Sequence, residues 1–505
     1  MMDPFKKSEE IDIMIIAEGT FPYIKGGVST WIYQLITGLE EFTFGIIFIG
    51  SRPEDYGDSA YEIPNNLVFF DKSFIFDTTS YPKPKKIRGN KNDLKIVNEL
   101  HQWLINHKGT LPDKAKTVDF YIKDITEEKF LYSKIFFNRM VEMYSLKAND
   151  IPFIDYIWTI RNSHAAIWKL TKIGTKLPKV KLFHSPSTGY AGFLGSILKY
   201  TYNNPFILTE HGIYTRERKI DLLTAEWIKY HKPLLLREVT EENYLKKVWI
   251  NFFESLSYFT YHAADKIISL FNGARNVQIE YGADKIKTEV IPNGVDVDRL
   301  KKISNIKREK NIITLIGRVV QIKDIKTFIR SIRILSNKIT DVEAWIVGPE
   351  DEDPEYVKEC KDMVKTLSLE NTVKFLGFQK VDDILSKTKI LTLTSISEGM
   401  PLVILEAFAA GVPVVATDVG SCRELIYGGM DNEDIKLGHA GVITKIANPS
   451  ELADAYEKLL LDEEKWNNFR NVALKRVNRY YSQKLFYDSY RRIYSEMMAY
   501  GWNRI

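Results

Sequence analysis

Residues 11–49 read IDIMIIAEGTFPYIKGGVSTWIYQLITGLEEFTFGIIFI. Ile11–Ala17 is a nearly continuous apolar run, the pattern of a strand covered on both faces. Glu18–Val28 interrupts it with Pro22 and the pair Gly26–Gly27. In Ser29–Leu39 apolar residues recur at 31, 32, 35, 36 and 39, which is helical spacing, and Phe44–Ile49 is a second buried strand. Strand, glycine loop, helix and strand in this order open a doubly wound parallel sheet.

Working outward, the alternation continues. Strands are expected at Val180–His184, Pro205–Thr209, Lys266–Leu270 and Thr288–Ile291, with a helical region over about Thr224–His262 and a helix at Gly273–Tyr281. Pro292–Asp296 is turn-rich, and the polar stretch Lys301–Asn311 marks a boundary. Beyond it strands are expected at Ile312–Ile316, Ala344–Val347, Val373–Phe375, Ile390–Leu393 and Val412–Ala416, with helices between them and three more at the end. The pattern predicts an α/β chain of two doubly wound, Rossmann-like domains facing a central cleft, 1–300 and 301–480, with residues 481–505 a C-terminal helix and a candidate to cross back to the first domain. Residues 71–150 break the rhythm. The Pro/Lys loop Tyr81–Asn90 and the helical stretches near Leu94–His107 and Lys129–Lys147 predict a lysine-rich helical insertion in the first domain.

The 505 residues are 45% hydrophobic, which suits cored domains and excludes a disordered chain. Lys and Arg number 70 against 66 Asp and Glu, too even a balance for a protein whose main partner is nucleic acid. Residues 71–150 hold 15 Lys or Arg and 11 Asp or Glu, which is the whole formal excess of +4. The two cysteines, Cys360 and Cys422, form no CxxC, which argues against a disulfide framework or a cysteine zinc site. No apolar run reaches the ~18–20 residues of a membrane span, and no signal peptide is legible. A cytoplasmic protein is expected, held at a membrane only through partners.

In open α/β sheets ligands bind at the carboxyl ends of strands. The strand Ile312–Ile316 ends at Gly317, with Arg318 and Lys323 following: either an anion clamp or a solvated surface pair. In Thr394–Ala410 (TSISEGMPLVILEAFAA) a strand passes through a loop into a helix that Pro401 can open, and free N–H groups at a helix start favour an anion. Glu398 lies in that loop. Glu406 lies eight residues on, in an apolar stretch, where a carboxylate is paired or accepts hydrogen bonds, as from sugar hydroxyls. His211 follows Pro205–Thr209 and can serve either as a donor to a ligand or as a structural ring. His184 reads as structural. The tripeptides Asp296–Asp298 and Asp351–Asp353 read as structural or solvated rather than as metal sites. No GxGxxG follows any strand, which lowers a dinucleotide-dependent reading.

These residues resemble a known family. Glu398-x7-Glu406 within EGMPLVILEA, Gly317-Arg318 and Lys323 before it, FLG at 375–377 and GVPVVATDVGS after it look like a family 4 retaining glycosyltransferase of the GT-B fold. EGTFPYIKGGVSTWIYQL and LTEHGIYTRER are similar to the soluble glycosyltransferase of Pel exopolysaccharide systems, the PelF type. The resemblance covers about 11–48, 180–300 and 311–480. It implies that Arg318 and Lys323 hold the donor diphosphate, that Glu406 binds the ribose and that Glu398 meets the donor sugar. Gly399, Met400, Pro401 and Leu402 would contact sugar or phosphate. Gly26 and Gly27 would border the diphosphate, His211 the reacting carbon, and Phe378 and Gln379 the base. It further implies a UDP-sugar donor, a glycan acceptor, no metal or other cofactor, and a place beside an inner-membrane polysaccharide synthase complex. The alternatives are a nucleotide-sugar sensor or scaffold subunit, and an epimerase on the same fold.

Overall fold

In the computed structural model, which describes residues 10–76, 82–106, 109–225, 228 and 243–502, the opening stretch folds as its pattern dictates. β1 (Glu10–Glu18) pairs in parallel with β2 (Phe44–Gly50), and the helix Gly27–Gly38 lies between them in the chain. Ile13, Met14, Ile15 and Ile16 are all fully buried because both sheet faces are covered. The sheet is completed by β3 (Leu67–Phe74), β4 (Lys179–Ser185), β5 (Phe206–Glu210), β6 (Lys266–Ser269) and β7 (Thr288–Val290). Its order is β3-β2-β1-β4-β5-β6-β7.

A second, six-stranded sheet holds β8 (Ile312–Ile316), β9 (Glu343–Val347), β10 (Val373–Gly377), β11 (Ile390–Leu393), β12 (Val414–Thr417) and β13 (Gly441–Thr444). Its order is β10-β9-β8-β11-β12-β13. Both sheets therefore grow outward in two directions from their first strand, the doubly wound Rossmann-like arrangement. The helices follow the same logic. In Ile325–Ser336, Ile325, Phe328, Ile329, Ile332 and Leu335 form one buried stripe, and Asp324 caps the start by accepting from the Thr327 N–H at 3.2 Å.

Two compact units result. The first is drawn from Met1–Ile268, Val277–Glu289 and Arg491–Ile505, the second from Ser269–Asn276 and Val290–Tyr490. The last stretch of the first unit comes from the helix Gln483–Trp502. Its Tyr494 is fully buried, packs edge-on to Phe42 and Phe44, and its hydroxyl lies 2.8 Å from His184 Nδ1.

Several elements depart from the expectations. β3 takes in Asp71–Phe74, where the helical insertion was expected to begin. It is an edge strand, half-buried and mixing Asp71, Lys72 and Ser73 with aromatics, so no apolar run announces it. The helix Tyr190–Tyr202 was not anticipated either: Gly192 and Gly195 argue against helix on propensity, but Tyr190–Leu198 is buried all round, and packing overrides propensity. Of the helical region expected over about Thr224–His262, Tyr244–Ala263 is helix, while residues 226, 227 and 229–242 lie outside the described residues, as do Tyr81 of the Pro/Lys loop and His107. The block after β3 contains the helices Lys91–Asn106, Glu127–Tyr132 and Lys134–Lys147. Among the described residues, no helix is long and apolar enough to cross a membrane.

Candidate active site

The second unit gathers most of the candidate residues at strand ends. Lys323 ends a short 3-10 turn after β8, and Glu398 lies in the loop after β11. Their side chains meet at 2.5 Å between Nζ and Oε1, and Ser395 Oγ donates to the same oxygen at 2.5 Å. The backbone locks the two loops together: Ile396 N–H donates to the Ile322 carbonyl at 2.9 Å, and Thr394 Oγ1 to the Lys323 carbonyl at 2.8 Å. Gly420 has φ +51, and a Cβ there would stand 2.3 Å from the Glu398 carbonyl oxygen, so only glycine lets the Glu398 loop settle at this height.

Arg318 is held differently. Its Nη1 reaches both oxygens of Glu352, at 2.6 and 2.5 Å, but both side chains are about half exposed. Such a solvated pair is worth about 0–1 kcal/mol. An incoming phosphate can therefore take the guanidinium from Glu352 at small cost, whereas the Lys323–Glu398 pair, only 21% and 14% exposed, is a fixed element of the site. Each of the two cations thus faces a carboxylate, Arg318 a solvent-exposed one and Lys323 a largely buried one.

Pro401 stands one residue outside the helix Leu402–Ala409, as its N-cap, rather than in its first turn. Met400 is buried, and its Sδ accepts from the Asn293 N–H at 3.4 Å. The Gly399 carbonyl accepts from Ser421 N–H at 2.9 Å. Glu406, on the second turn, is half-buried, with Arg299 Nη2 3.6 Å away. Burial pushes its carboxyl up to about 7, against the opposing pull of Arg299. Phe378, just past β10, is 81% exposed, an unusual amount for a phenyl ring, and Gln379 Nε2 donates to the Leu376 carbonyl at 2.8 Å. The two DxD tripeptides serve caps: Asp296 Oδ1 accepts from Arg299 N–H at 3.0 Å, and Asp353 Oδ1 from Tyr356 N–H at 3.1 Å, each starting a helix.

The remaining candidates belong to the first unit. Gly26 and Gly27 sit exposed at the start of the helix Gly27–Gly38. Gly26 is extended, and a Cβ at either position meets nothing within 4 Å. Nothing in the fold of this unit demands glycine there. Gly27→Ala should accordingly leave the melting temperature within ~1–2 °C of the parent, while weakening nucleotide-sugar affinity if a ligand approaches this backbone. A calorimetric titration beside a melting curve checks both halves.

His211 lines a cavity of about 850 Å³ at the carboxyl ends of β1 and β5, with Glu18, Tyr190, Tyr214 and Arg218. Trp31 packs edge-on to its ring at 4.7 Å, and its Nε2 is buried without a hydrogen-bond partner. Burial lowers its pKa to about 3, so the ring is neutral and can exchange hydrogen bonds but does not hold a proton at neutral pH. Glu210 does not orient it. Successive strand residues point apart, and Glu210 turns into the core to accept from Tyr261 Oη at 2.6 Å and Gln278 Nε2 at 3.1 Å. His184 serves the fold, with Tyr494 Oη and Thr209 Oγ1 each 2.8 Å from a ring nitrogen.

Four residues with a stake in these sites escaped the sequence reading: Glu352, Ser395, Arg299 and Glu18. Glu352 was nearest to detection, because its acidic loop directly follows β9, the strand beside β8. Glu18 ends β1 and accepts from Tyr214 Oη at 2.9 Å and Ala191 N–H at 3.2 Å.

Two Rossmann-like α/β units with this strand order define the GT-B architecture. Residues 296–476 match the family model for glycosyl transferases group 1, the span that holds Arg318, Lys323, Glu398 and Glu406. Residues 11–286, more than half of the chain, match the model described as Domain of unknown function (DUF3492), and the chain belongs to that family. It is 28% identical over 204 residues to the N-acetyl-alpha-D-glucosaminyl L-malate synthase of Bacillus anthracis, covering 40% of this chain and 50% of that protein. It is 29% identical over 197 residues to the UDP-Gal:alpha-D-GlcNAc-diphosphoundecaprenol alpha-1,3-galactosyltransferase of Escherichia coli, covering 36% and 50%. The chain thus spans about half the length of these curated relatives. Anabaena Alr3699/HepE, solved in complex with UDP, shares the fold with a TM-score of 0.59 at 15% identity, over 96% of this chain and 99% of that one.

Proposed function

We propose that this chain is a retaining glycosyltransferase of the family 4 type, similar to the PelF type, moving a hexosyl group from a UDP-sugar to a glycan acceptor in exopolysaccharide synthesis. The observation that carries the reading is the Lys323–Glu398–Ser395 cluster at 2.5 Å contacts, set just before the free N–H groups of the helix Leu402–Ala409. It puts a fixed positive charge and a helix start on one side of the second unit, which is what a departing diphosphate requires. In this reading Arg318 leaves Glu352 for the diphosphate, and Lys323 takes its other end. Glu398 accepts from a sugar hydroxyl, and Glu406 from the ribose. The exposed Phe378 and Gln379 border the base. Gly26 and Gly27 lie against the diphosphate, and neutral His211 donates to the sugar. The UDP-Gal of the Escherichia coli galactosyltransferase and the UDP bound to the Anabaena protein favour uracil as the base.

The bond between the anomeric carbon and the diphosphate oxygen breaks as the acceptor hydroxyl approaches on the same face, and the departing phosphate takes the acceptor's proton. The cations and helix N–H groups stabilise the growing charge without a divalent ion, so excess chelator is expected to leave turnover within ~10%. A strict divalent requirement would overturn that assignment. The decisive experiment offers UDP-glucose, UDP-galactose and the two UDP-N-acetylhexosamines with a glycan acceptor, and reads UDP release and product anomeric configuration by NMR. An inverted product overturns the retaining mechanism. Interconversion of a nucleotide sugar without acceptor points to an epimerase, and binding without turnover to a sensor.

Glu406 gives the reading a pH signature. Above about 7 its carboxyl is mostly ionised and both oxygens accept charge-assisted hydroxyl hydrogen bonds; below about 7 it is mostly protonated, keeps one carbonyl acceptor and turns the other oxygen into a donor. Donor KM should therefore rise as pH falls from 8 to 6, by up to ~tenfold per unit once below 7. In Glu406→Gln the donor KM should be high throughout and flat in this range.

A further inference from the structure

The helical block between β3 and β4, with the helices Phe153–Ile173 and Tyr244–Ala263, forms a second cavity of about 290 Å³, whose lining includes none of the residues assigned above although it shares those two helices with the His211 cavity. Its walls are hydrocarbon and ring: Leu100, Phe130, Ile160, Trp168, Phe252 and Phe259 all face it. Ser163, Asn251 and Ser255 add a few polar groups, and two histidines, His101 and His164, also line it. Burial lowers the pKa of both, that of His101 to about 4, so neither brings charge at neutral pH. A hydroxyl-rich ligand would surrender its water partners here for very few replacements. A hydrocarbon chain gains in proportion to the area it buries, and apolar cavities of this kind take up such molecules.

One cation lines the cavity. Lys147, the exposed last residue of the helix Lys134–Lys147, has no ion-pair partner among the described residues. It sits in the block that carries the chain's whole formal charge excess. An apolar interior with a single unpaired ammonium at its edge is complementary to an amphiphile with an acidic head. We propose that this cavity binds the hydrocarbon chain of an acidic lipid, its head group at Lys147. A fatty carboxylate and a prenyl phosphate share that chemistry.

The test titrates the full-length chain with the fluorescent fatty acid cis-parinaric acid. One saturable site per chain is expected, with palmitate and farnesyl phosphate as competitors; displacement by either supports the proposal and names the class of lipid. Leu100→Trp and Ile160→Trp, which fill the cavity, should each weaken binding at least tenfold. Lys147→Glu should weaken the acid tenfold but leave displacement by uncharged dodecanol unchanged. Circular-dichroism melting identifies any variant that fails to fold, and the two filling variants stand in for each other. Failure to saturate, displacement by neither competitor, or binding unchanged in a folded filling variant overturns the proposal, whatever the outcome of the nucleotide-sugar assays.

Discussion

Lys323→Ala is expected to lower kcat by ~10²–10³-fold, with a much smaller rise in donor KM. The asymmetry follows from when the charge is needed. A bound UDP-sugar already carries charge on its diphosphate, but the bridging oxygen gains more as the sugar departs, and a group fixed beforehand stabilises that gain without reorganising. Lys323 is fixed: Glu398 holds its ammonium at 2.5 Å. Its loop is held through backbone groups, the Lys323 carbonyl to Thr394 and the Ile322 carbonyl to Ile396, so removing the side chain leaves the loop in place. Lys323→Arg should not restore the rate, since a planar fork does not fit a site built for a point charge. Arg318→Ala should cost less, because Arg318 must first leave an exposed carboxylate. Steady-state kinetics with saturating acceptor make the comparison. A Lys323→Ala enzyme within threefold of the parent in kcat would remove this lysine from the catalytic site.

The largest effect on stability is expected at Arg476. Its side chain is wholly buried, as is that of its partner Asp434, at 2.6 Å. The guanidinium also donates to the carbonyls of Leu425, Ile426, Asp434 and Gly438, at 3.2, 2.8, 2.9 and 2.7 Å. It therefore gathers the ends of the short helices Cys422–Tyr427 and Asn432–Lys436. Arg476→Met fills similar space but removes the counter-charge of the buried Asp434 and one donor from each of four carbonyls, of which Ile426 and Asp434 keep the Ala440 and Leu437 N–H groups. A buried pair broken on one side costs ~3–5 kcal/mol. The urea midpoint of the transition reported by Trp345 and Trp466 should fall accordingly, and Asp434→Asn in the same background should recover part of the loss. A shift below ~1 kcal/mol would contradict this account.

How far such features can be read from sequence depends on their range. β1, its glycine loop and β2 were legible because a doubly covered strand writes one long apolar run. β3 was not, because an edge strand needs only one apolar face and can carry Asp71 and Lys72. Glu398 and Glu406 were legible as an eight-residue spacing around a helix start. The Arg318–Glu352 pair was not, since it depends on which strand lies beside β8, and only the sheet order supplies that. Arg476 gave no local signal: an arginine on an otherwise polar helix, Glu463–Tyr480, looks solvated until its neighbours are known. His184 and His211 stand at the ends of adjacent strands; the sequence read His184 as structural and left His211 open. Partners from distant positions, Tyr494 above all, separate the ring that is spent on the fold from the one left with a bare nitrogen.

That same tyrosine bears on how the protein is made. His184, Phe42 and Phe44 emerge from the ribosome hundreds of residues before Tyr494 does. The first unit must therefore wait, with an apolar face and a buried-type histidine still uncovered, until the entire second unit has been translated. Both units are then completed within a few residues of one another, the second by Tyr490 and the first by the stretch that begins at Arg491. A ribosome stalled short of residue 494 would expose the first unit's uncovered face to chaperones and proteases.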